Sequence, residues 1–451
     1  MPAPEELGFL RVAVAAPELR VADVAFNARA TAAAMRELAK QGVRLAVFPE
    51  LGLTGYTCAD LFFQPTLRRA AARAARELAA TAHELGMIAF VGLPVEVAGR
   101  LYNCAAVLAE GRVWGLTPKS HLPNYGEFYE QRWFAPAATL ASDQAEVDGH
   151  WAWISRRHIL GVRGPQPFAL GVEICEDLWA VEPPSGRLAL AGATVLVNLS
   201  ASDDVLTKAE YRRELVKQQS ARCLAAYLYA GAGPGESSTD VVYSGHGLIA
   251  ENGVMLAETE RFSLQTRAAI ADLDLERLTL ERIKNTTFTG VRPAMEKPIG
   301  EAWIELPAAP ALGRPSPAKL LRPVPPRPFV PDNPALRAAR CEEVFQIQST
   351  ALATRLRHTG LKTVVIGISG GLDSTLALLV AARAFDKLNL DRRGILGVTM
   401  PGPGTTALLH SINHLEQVTS RRLHLHGVLV SYTKRNGRLH EIHPRDAARQ
   451  R

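Results

Sequence analysis

Long apolar runs are missing from this 451-residue chain. No segment approaches the ~20 consecutive apolar residues that a membrane-spanning helix needs, so a membrane protein of that kind is excluded. The first eight residues, Met1-Pro-Ala-Pro-Glu-Glu-Leu-Gly8, have neither the basic start nor the apolar stretch of a secretory signal. Cysteine is sparse, with five widely scattered residues. An odd, scattered set is no disulfide framework and points to a reducing, cytoplasmic setting. Excess charge is also small, +6 in all. Residues 405–451 hold eight lysines and arginines against three acids, and six of the twelve histidines. The basic character therefore belongs to the tail, and neither a nucleic-acid partner nor a membrane surface is expected.

What is present is a soluble, globular composition, 47% hydrophobic and 21% charged. The length accommodates two or three domains. Residues 8–134 alternate strand-like stretches (9–15, 44–48, 87–91 and 107–116) with helical ones (25–40 and 66–85). That rhythm implies a sheet covered by helices. Further on, the pattern predicts a strand at 194–199, a helix at 210–229, and a hairpin over 241–251 with a tight-turn signal at Asn252-Gly253. Residues 293–334 hold 12 of the 29 prolines and read as a linker or extended arm. A helix starts at Asp332 or Asn333 with Pro334 in its first turn, and Gly360 is its stop. Leu336, Val344, Phe345, Leu352 and Leu356 form its apolar stripe.

Three strand ends carry reactive side chains. Leu170-Gly-Val-Glu-Ile-Cys175-Glu176-Asp-Leu-Trp179 is an apolar segment ending in a cysteine and two carboxylates. It reads as a strand delivering a thiol to an elbow at a sheet edge. A thiol attacks a carbonyl only as thiolate, so it requires a base and a positive charge nearby. Phe48-Pro-Glu50 ends a strand in a carboxylate, and Thr117-Pro-Lys119 ends one in an amine. Cys58, Cys104, Cys223 and Cys341 lack such a setting and read as structural. His424-Leu-His426 has no third ligand, so no metal site is expected.

In their local sequence, Glu50, Lys119 and Cys175 resemble the Glu-Lys-Cys triad of the nitrilase (carbon-nitrogen hydrolase) superfamily, across residues 8–280. The resemblance implies an α/β fold, a nitrilase-like αββα sandwich, and amide hydrolysis. It also makes Glu130, four residues before Phe134, an auxiliary catalytic residue. "NLSAS", "SARCLAAYLYA", "GESSTDVVYSGHGLIAENG" and "ELGLTGYTCADLF" narrow the likeness to the glutaminase domain of glutamine-dependent NAD synthetases. By that resemblance Tyr125, Glu176, Ser202 and Lys208 contact L-glutamine.

The second motif is Thr363-Val-Val-Ile-Gly-Ile-Ser369-Gly370-Gly371-Leu372-Asp373-Ser374, a strand, a glycine loop and a helix start. Paired glycines at a helix N-terminus make an anion nest. The loop lacks the Gly-Lys-Ser/Thr ending of a P-loop, which argues against a kinase or GTPase. Ser-Gly-Gly-Xaa-Asp-Ser resembles the pyrophosphate-binding loop of ATP pyrophosphatases. The likeness implies a partial Rossmann-like adenine-nucleotide hydrolase domain that binds ATP with Mg2+ at Gly367, Ser369, Gly370, Gly371, Leu372, Asp373 and Ser374, without a prosthetic group. The likeness stops after Thr406, and a truncation or frameshift is the expectation there. The expected plan is a glutaminase domain at 1–285, a Pro-rich linker at 286–333, a partial synthetase domain at 334–406 and a divergent basic tail at 407–451. The expected activity is glutamine hydrolysis supplying ammonia for ATP-dependent amidation of deamido-NAD, in a homo-oligomer with the synthetase half incomplete. A stand-alone nitrilase-type amidase and a non-catalytic oligomer partner are the alternatives.

Overall fold

The computed structural model describes residues 7–163, 167–291, 301–305, 319–324, 326–369, 371–398, 431–435 and 438–442. The chain divides into two units, Met1–Pro323 and Val324–Arg451. Among the described residues no helix is long and apolar enough to cross a membrane.

The first unit begins β1 (Phe9–Ala16), α1 (Val24–Lys40), β2 (Leu45–Val47), α2 (Pro65–Glu84), β3 (Ile88–Val97), β4 (Arg100–Ala109) and β5 (Arg112–Pro118). It continues with β6 (Gln144–Val147), β7 (His150–Ile154), β8 (Ile159–Arg163), β9 (Phe168–Ile174), the single turn α3 (Glu176–Trp179), α4 (Pro184–Ala191) and β10 (Val195–Ser200). Last come α5 (Lys208–Cys223), β11 (Ala226–Gly231), β12 (Gly247–Glu251), β13 (Val254–Glu258), β14 (Arg267–Asp274), α6 (Leu275–Lys284), α7 (Thr286–Val291) and β15 (Glu301–Glu305). Two sheets result, ordered β14-β1-β2-β3-β4-β5-β7-β6 and β13-β12-β11-β10-β9-β8-β15.

The alternation of side chains along each strand builds four layers. Val12, Val14, Leu45, Val47, Ile88 and Phe90 of the first sheet meet Val172, Ile174, Val195, Val197 and Leu228 of the second. The opposite face of the first sheet, including Ala13, Ala15 and Ala89, packs on Met35 and Leu38 of α1 and Leu78 of α2. Behind the second sheet, Leu196, Tyr227 and Tyr229 pack on Leu188 of α4 and Val216 of α5. Strands buried on both faces are apolar nearly throughout, which is why β1 and β3 were easy to read. The expected αββα sandwich is the observed architecture.

Several sequence readings are corrected. The run Val107–Leu116 is two antiparallel strands, β4 and β5, joined by a turn in which Glu110 has φ 49° and Gly111 φ 77°. The stretch 210–229 is helix only to Cys223; Leu224, at φ 46°, ends α5, and the apolar residues beyond it form the buried parallel strand β11. The hairpin expected over 241–251 is instead β12–β13, turned at Asn252 (φ 45°) and Gly253 (φ 83°). Strand β9 is an inner strand, so the thiol lies at its C-terminal end and not along an edge. Within the span read as a linker, β15 pairs parallel with β8, and Arg322 donates to both oxygens of Glu251 (2.6 and 2.8 Å). Cys341 is exposed, so it has no packing role.

The second unit contains α8 (Pro334–Thr359), β16 (Val364–Gly367), α9 (Leu372–Lys387) and β17 (Ile395–Val398), with β16 and β17 parallel. The Asn333 side chain accepts from Ala335 N and Leu336 N, and Gly360 at φ 70° closes the helix, as read. Leu356, Leu378, Ala381, Phe385 and Ile395 form its core, while Leu336 and Val344 of the expected stripe are exposed. Residues 431–435 and 438–442 pair as the antiparallel strands β18 and β19. Pro401–Thr406 and most of the tail, His424 and His426 included, lie outside the described residues.

Gly92 of β3 connects fold to site. A Cβ there would stand 2.1 Å from Leu51 N and 2.8 Å from Glu50 C, leaving no room for a side chain. Gly92→Ala is expected to destabilise the first unit by about 3 kcal/mol or more, since overpacking against backbone cannot relax by rotamer change. Chemical denaturation reads the loss, and an unchanged midpoint would refute the close approach.

Candidate active site

Four acid, base and thiol side chains converge at strand ends of both sheets. After β2 the chain turns at Leu51 (φ 49°) and buries Glu50. Its Oε1 accepts from Asn103 Nδ2 (2.6 Å) and Lys119 Nζ (2.7 Å), and its Oε2 accepts from Ala201 N (2.8 Å). Lys119 directly follows β5, and its backbone N–H bonds to Asn103 O at 2.9 Å. The same ammonium donates to Glu130 Oε1 at 2.5 Å, an oxygen that also accepts from Tyr56 OH at 2.7 Å. Glu50, Lys119 and Glu130 are each about 1% exposed.

Cys175 occupies the turn between β9 and α3 with φ 42° and ψ −99°, a strained setting for a residue with a side chain. Its N–H is shared between Leu199 O (2.9 Å) and Asn198 Oδ1 (3.1 Å). Burial pushes the thiol well above its ordinary range and Glu50 adds to that, while Lys119 and a hydrogen bond from Ser200 pull the other way. The resting group is therefore a thiol, close enough to sense all three charged neighbours. Burial alone would lower the Lys119 ammonium, but Glu130 and Glu50 hold it well above normal. Burial raises Glu130 to about 7 despite the attraction of Lys119, with Glu50 pushing the same way. Its Oε2 is buried with no hydrogen-bond partner.

Two carboxylates that sequence reasoning left without a role hold these segments in place. Asp177 accepts from Ile174 N (3.0 Å), Ser120 N (3.1 Å) and His121 N (2.8 Å), joining the thiol elbow to the lysine segment. Glu236 accepts from Tyr56 N (2.7 Å) and Thr57 N (3.0 Å), fixing the loop that presents Tyr56 to Glu130. Asn103 and Tyr56 were missed as well. A polar residue inside an otherwise apolar strand was the available signal for Asn103.

Of the residues expected to contact glutamine, Tyr125 and Glu176 are paired with one another, and Lys208 and Ser202 have other partners. Tyr125, 60% exposed, donates to Glu176 Oε1 at 2.8 Å and stacks edge-on against Phe128. Lys208 pairs with the buried Asp203 and lies 5.8 Å from the Phe128 ring and 5.7 Å from that of Trp179. The Ser202 hydroxyl accepts from Arg212 Nη2 at 3.2 Å. A cavity of about 220 Å³ is lined by Tyr56, Phe128, Tyr129, Ser237 and Tyr243.

In the second unit Gly367 ends β16, and α9 begins at Leu372 with Gly371 as its N-cap. Ser369 Oγ stands 3.3 Å from Ser374 Oγ and accepts from Gly371 N at 3.4 Å. Asp373 lies in the first turn and Leu372 is exposed. Gly370 lies outside the described residues.

A four-layer sandwich holding a thiol, a carboxylate and an ammonium at its strand ends is of the nitrilase class. The chain belongs to the carbon-nitrogen hydrolase family, which residues 11–282 match, and residues 344–425 match the NAD synthase family. It is similar to the glutamine-dependent NAD(+) synthetases of Mycobacterium leprae (41% identical over 403 residues) and Mycobacterium tuberculosis H37Rv (42% over 405), covering 88% of this chain and 58% of each relative. A glutamine-dependent NAD(+) synthetase structure from Cytophaga hutchinsonii superimposes with a TM-score of 0.53 at 20% identity, over 93% of this chain and 65% of that one. The chain thus spans less than two thirds of the length of these relatives.

Two outcomes follow from the geometry. Asp177→Asn places an N–H2 among three backbone donors and should destabilise the fold by about 1–3 kcal/mol, with Cys175 alkylation slowed in parallel; a variant as stable as the parent would refute the clasp. Glu130 has a folded pKa of about 7, above its ordinary 4.5, so its contribution to stability is full below 4.5 and is lost as pH rises through 7. Glu130→Gln should therefore gain stability relative to the parent between pH 5 and about 8, measured by denaturant midpoints; a constant difference would contradict it.

Proposed function

We propose that the first unit hydrolyses the side-chain amide of glutamine at Cys175, and that the ammonia serves ATP-dependent amidation of deamido-NAD. The observation that carries this reading is the Lys119 ammonium bonded to both Glu50 and Glu130 beside a buried thiol. Glu50 accepts the Cys175 proton as sulfur attacks the amide carbon, which suits a thiol that is un-ionised at rest. Lys119 stabilises the tetrahedral oxyanion, a contribution of about 3–4 kcal/mol for one such donor. Glu50 then returns the proton to the departing ammonia, leaving a thioester. It next takes a proton from the attacking water and hands it to sulfur as the C–S bond breaks, releasing glutamate and restoring the thiol. General-base catalysis of this kind supplies roughly 10²–10⁴-fold. Glu130 holds Lys119 between two carboxylates and so keeps it charged throughout.

Glu176, Tyr125, Ser202 and Lys208 would bind the amino-acid end of glutamine, with Lys208 facing its carboxylate. Ser369, Gly370, Gly371, Leu372, Asp373 and Ser374 would hold the phosphates of ATP, brought as its Mg2+ complex, at the start of α9. The family's curated members at 41–42% identity support both halves of the reading. We place the glutaminase module at 1–285, the proline-rich arm at 286–333 and the synthetase-type unit from 334 to 406, in a cytoplasmic homo-oligomer.

One preparation tests both activities. Ammonia release from glutamine is expected in the parent protein and absent in Cys175→Ala, and retention in the variant would overturn the assignment. NAD formation from deamido-NAD and ATP with ammonium supplied directly tests the second unit. Glutamine hydrolysis without it would leave a stand-alone amidase.

A further inference from the structure

Behind the nucleophile runs a row of polar side chains that the proposed chemistry does not use. In the parallel register of β9, β10 and β11, Glu173 lies opposite Asn198, and Leu196 opposite Tyr227. Glu173, Asn198 and Tyr227 are all 1% exposed or less, within strands that are otherwise apolar. A backbone N–H only donates, so the Asn198 amide oxygen, 3.1 Å away, must face Cys175 N. The Asn198 Nδ2 therefore points away and donates to Tyr227 OH at 3.1 Å. Having accepted there, the Tyr227 hydroxyl donates to Glu173 Oε1, and Glu173 Oε2 is anchored by Ser185 N at 2.7 Å. The direction of every donor is thus set, from the start of α4 to the peptide preceding the thiol.

We infer that Glu173, Tyr227 and Asn198 are positioning residues that fix the strained peptide at Cys175 and so aim its sulfur. Buried polar groups are tolerated when fully paired, and this row is paired from end to end. Without it the Cys175 N–H keeps Leu199 O, but the Asn198 amide loses the Tyr227 hydroxyl that holds its Nδ2 and is held from the Cys175 side alone. A backbone at φ 42° persists only when its surroundings over-determine it. The row rests on Cys175 being the nucleophile of the proposed reaction, but it touches no substrate.

Tyr227→Phe breaks the row in its middle and leaves the Glu173 carboxylate without its hydroxyl donor. Tyr227→Phe combined with Glu173→Gln removes that buried carboxyl group while keeping an acceptor for Ser185 N. The double variant should regain the melting temperature lost in the single one. Both variants should lose about ten- to a hundredfold in kcat for glutamine, as expected for a misaimed reactive group, with KM close to the parent value. Alkylation of Cys175 by iodoacetamide, followed on its own peptide by mass spectrometry, should slow in both. Recovery of kcat together with the melting temperature, or a destabilised Tyr227→Phe with full kcat, would overturn the inference. If the parent protein hydrolyses no glutamine, the proposed function fails while the alkylation rates still decide the role of the row.

Discussion

One ammonium buried between two carboxylates sets the terms for the rest of the first unit. Lys119 bonds to Glu50 and Glu130 with all three side chains out of solvent. Ions removed from water are tolerated only with close partners and satisfied remaining lone pairs. Asn103 and Ala201 N meet that requirement at Glu50, whereas Tyr56 serves one oxygen of Glu130 and the other has no partner. The requirement also explains why the donors come from both sheets. Strand ends are the places where a sandwich can bring backbone N–H groups and side chains from several segments to one point without opening its core.

The same burial determines the order of chemical events. A thiol whose ionisation is opposed by desolvation and by Glu50 is un-ionised at rest, so in the proposed reaction proton transfer accompanies attack. In the proposed reaction, a low-dielectric site that disfavours the free thiolate would also strengthen the Lys119 interaction with an oxyanion formed beside it. Loop placement therefore matters, and Asp177 and Glu236 each bind adjoining segments through backbone N–H groups.

Much of this arrangement was legible in the sequence, for a physical reason. Strands covered on both faces are apolar nearly throughout, so the reactive residue that follows each one is conspicuous: Glu50 after β2, Lys119 after β5, Cys175 after β9. The same property hid other features. Leu224–Tyr229 is apolar enough to continue a helix, and only the left-handed backbone at Leu224 separates α5 from β11. Asn103 and Glu173 stand singly inside apolar strands, where one polar residue carries no period and pairing partners come from distant segments. Val107–Leu116 was read as one strand because Glu110 in a left-handed turn gives a weaker signal than asparagine would.

The two units differ in how far their sites rest on their own cores. Glu50, Lys119 and Glu130 around Cys175 are supplied within Met1–Pro323 and are buried. Ser369, Gly371, Leu372 and Asp373 are exposed, and the Ser369 and Ser374 hydroxyls bond to one another and to the Gly371 backbone. Backbone N–H groups at a helix start are donors suited to an anion, which is the role proposed for this segment. The proposed amide hydrolysis therefore draws on residues of the first unit alone, and the proposed nucleotide chemistry on those of the second.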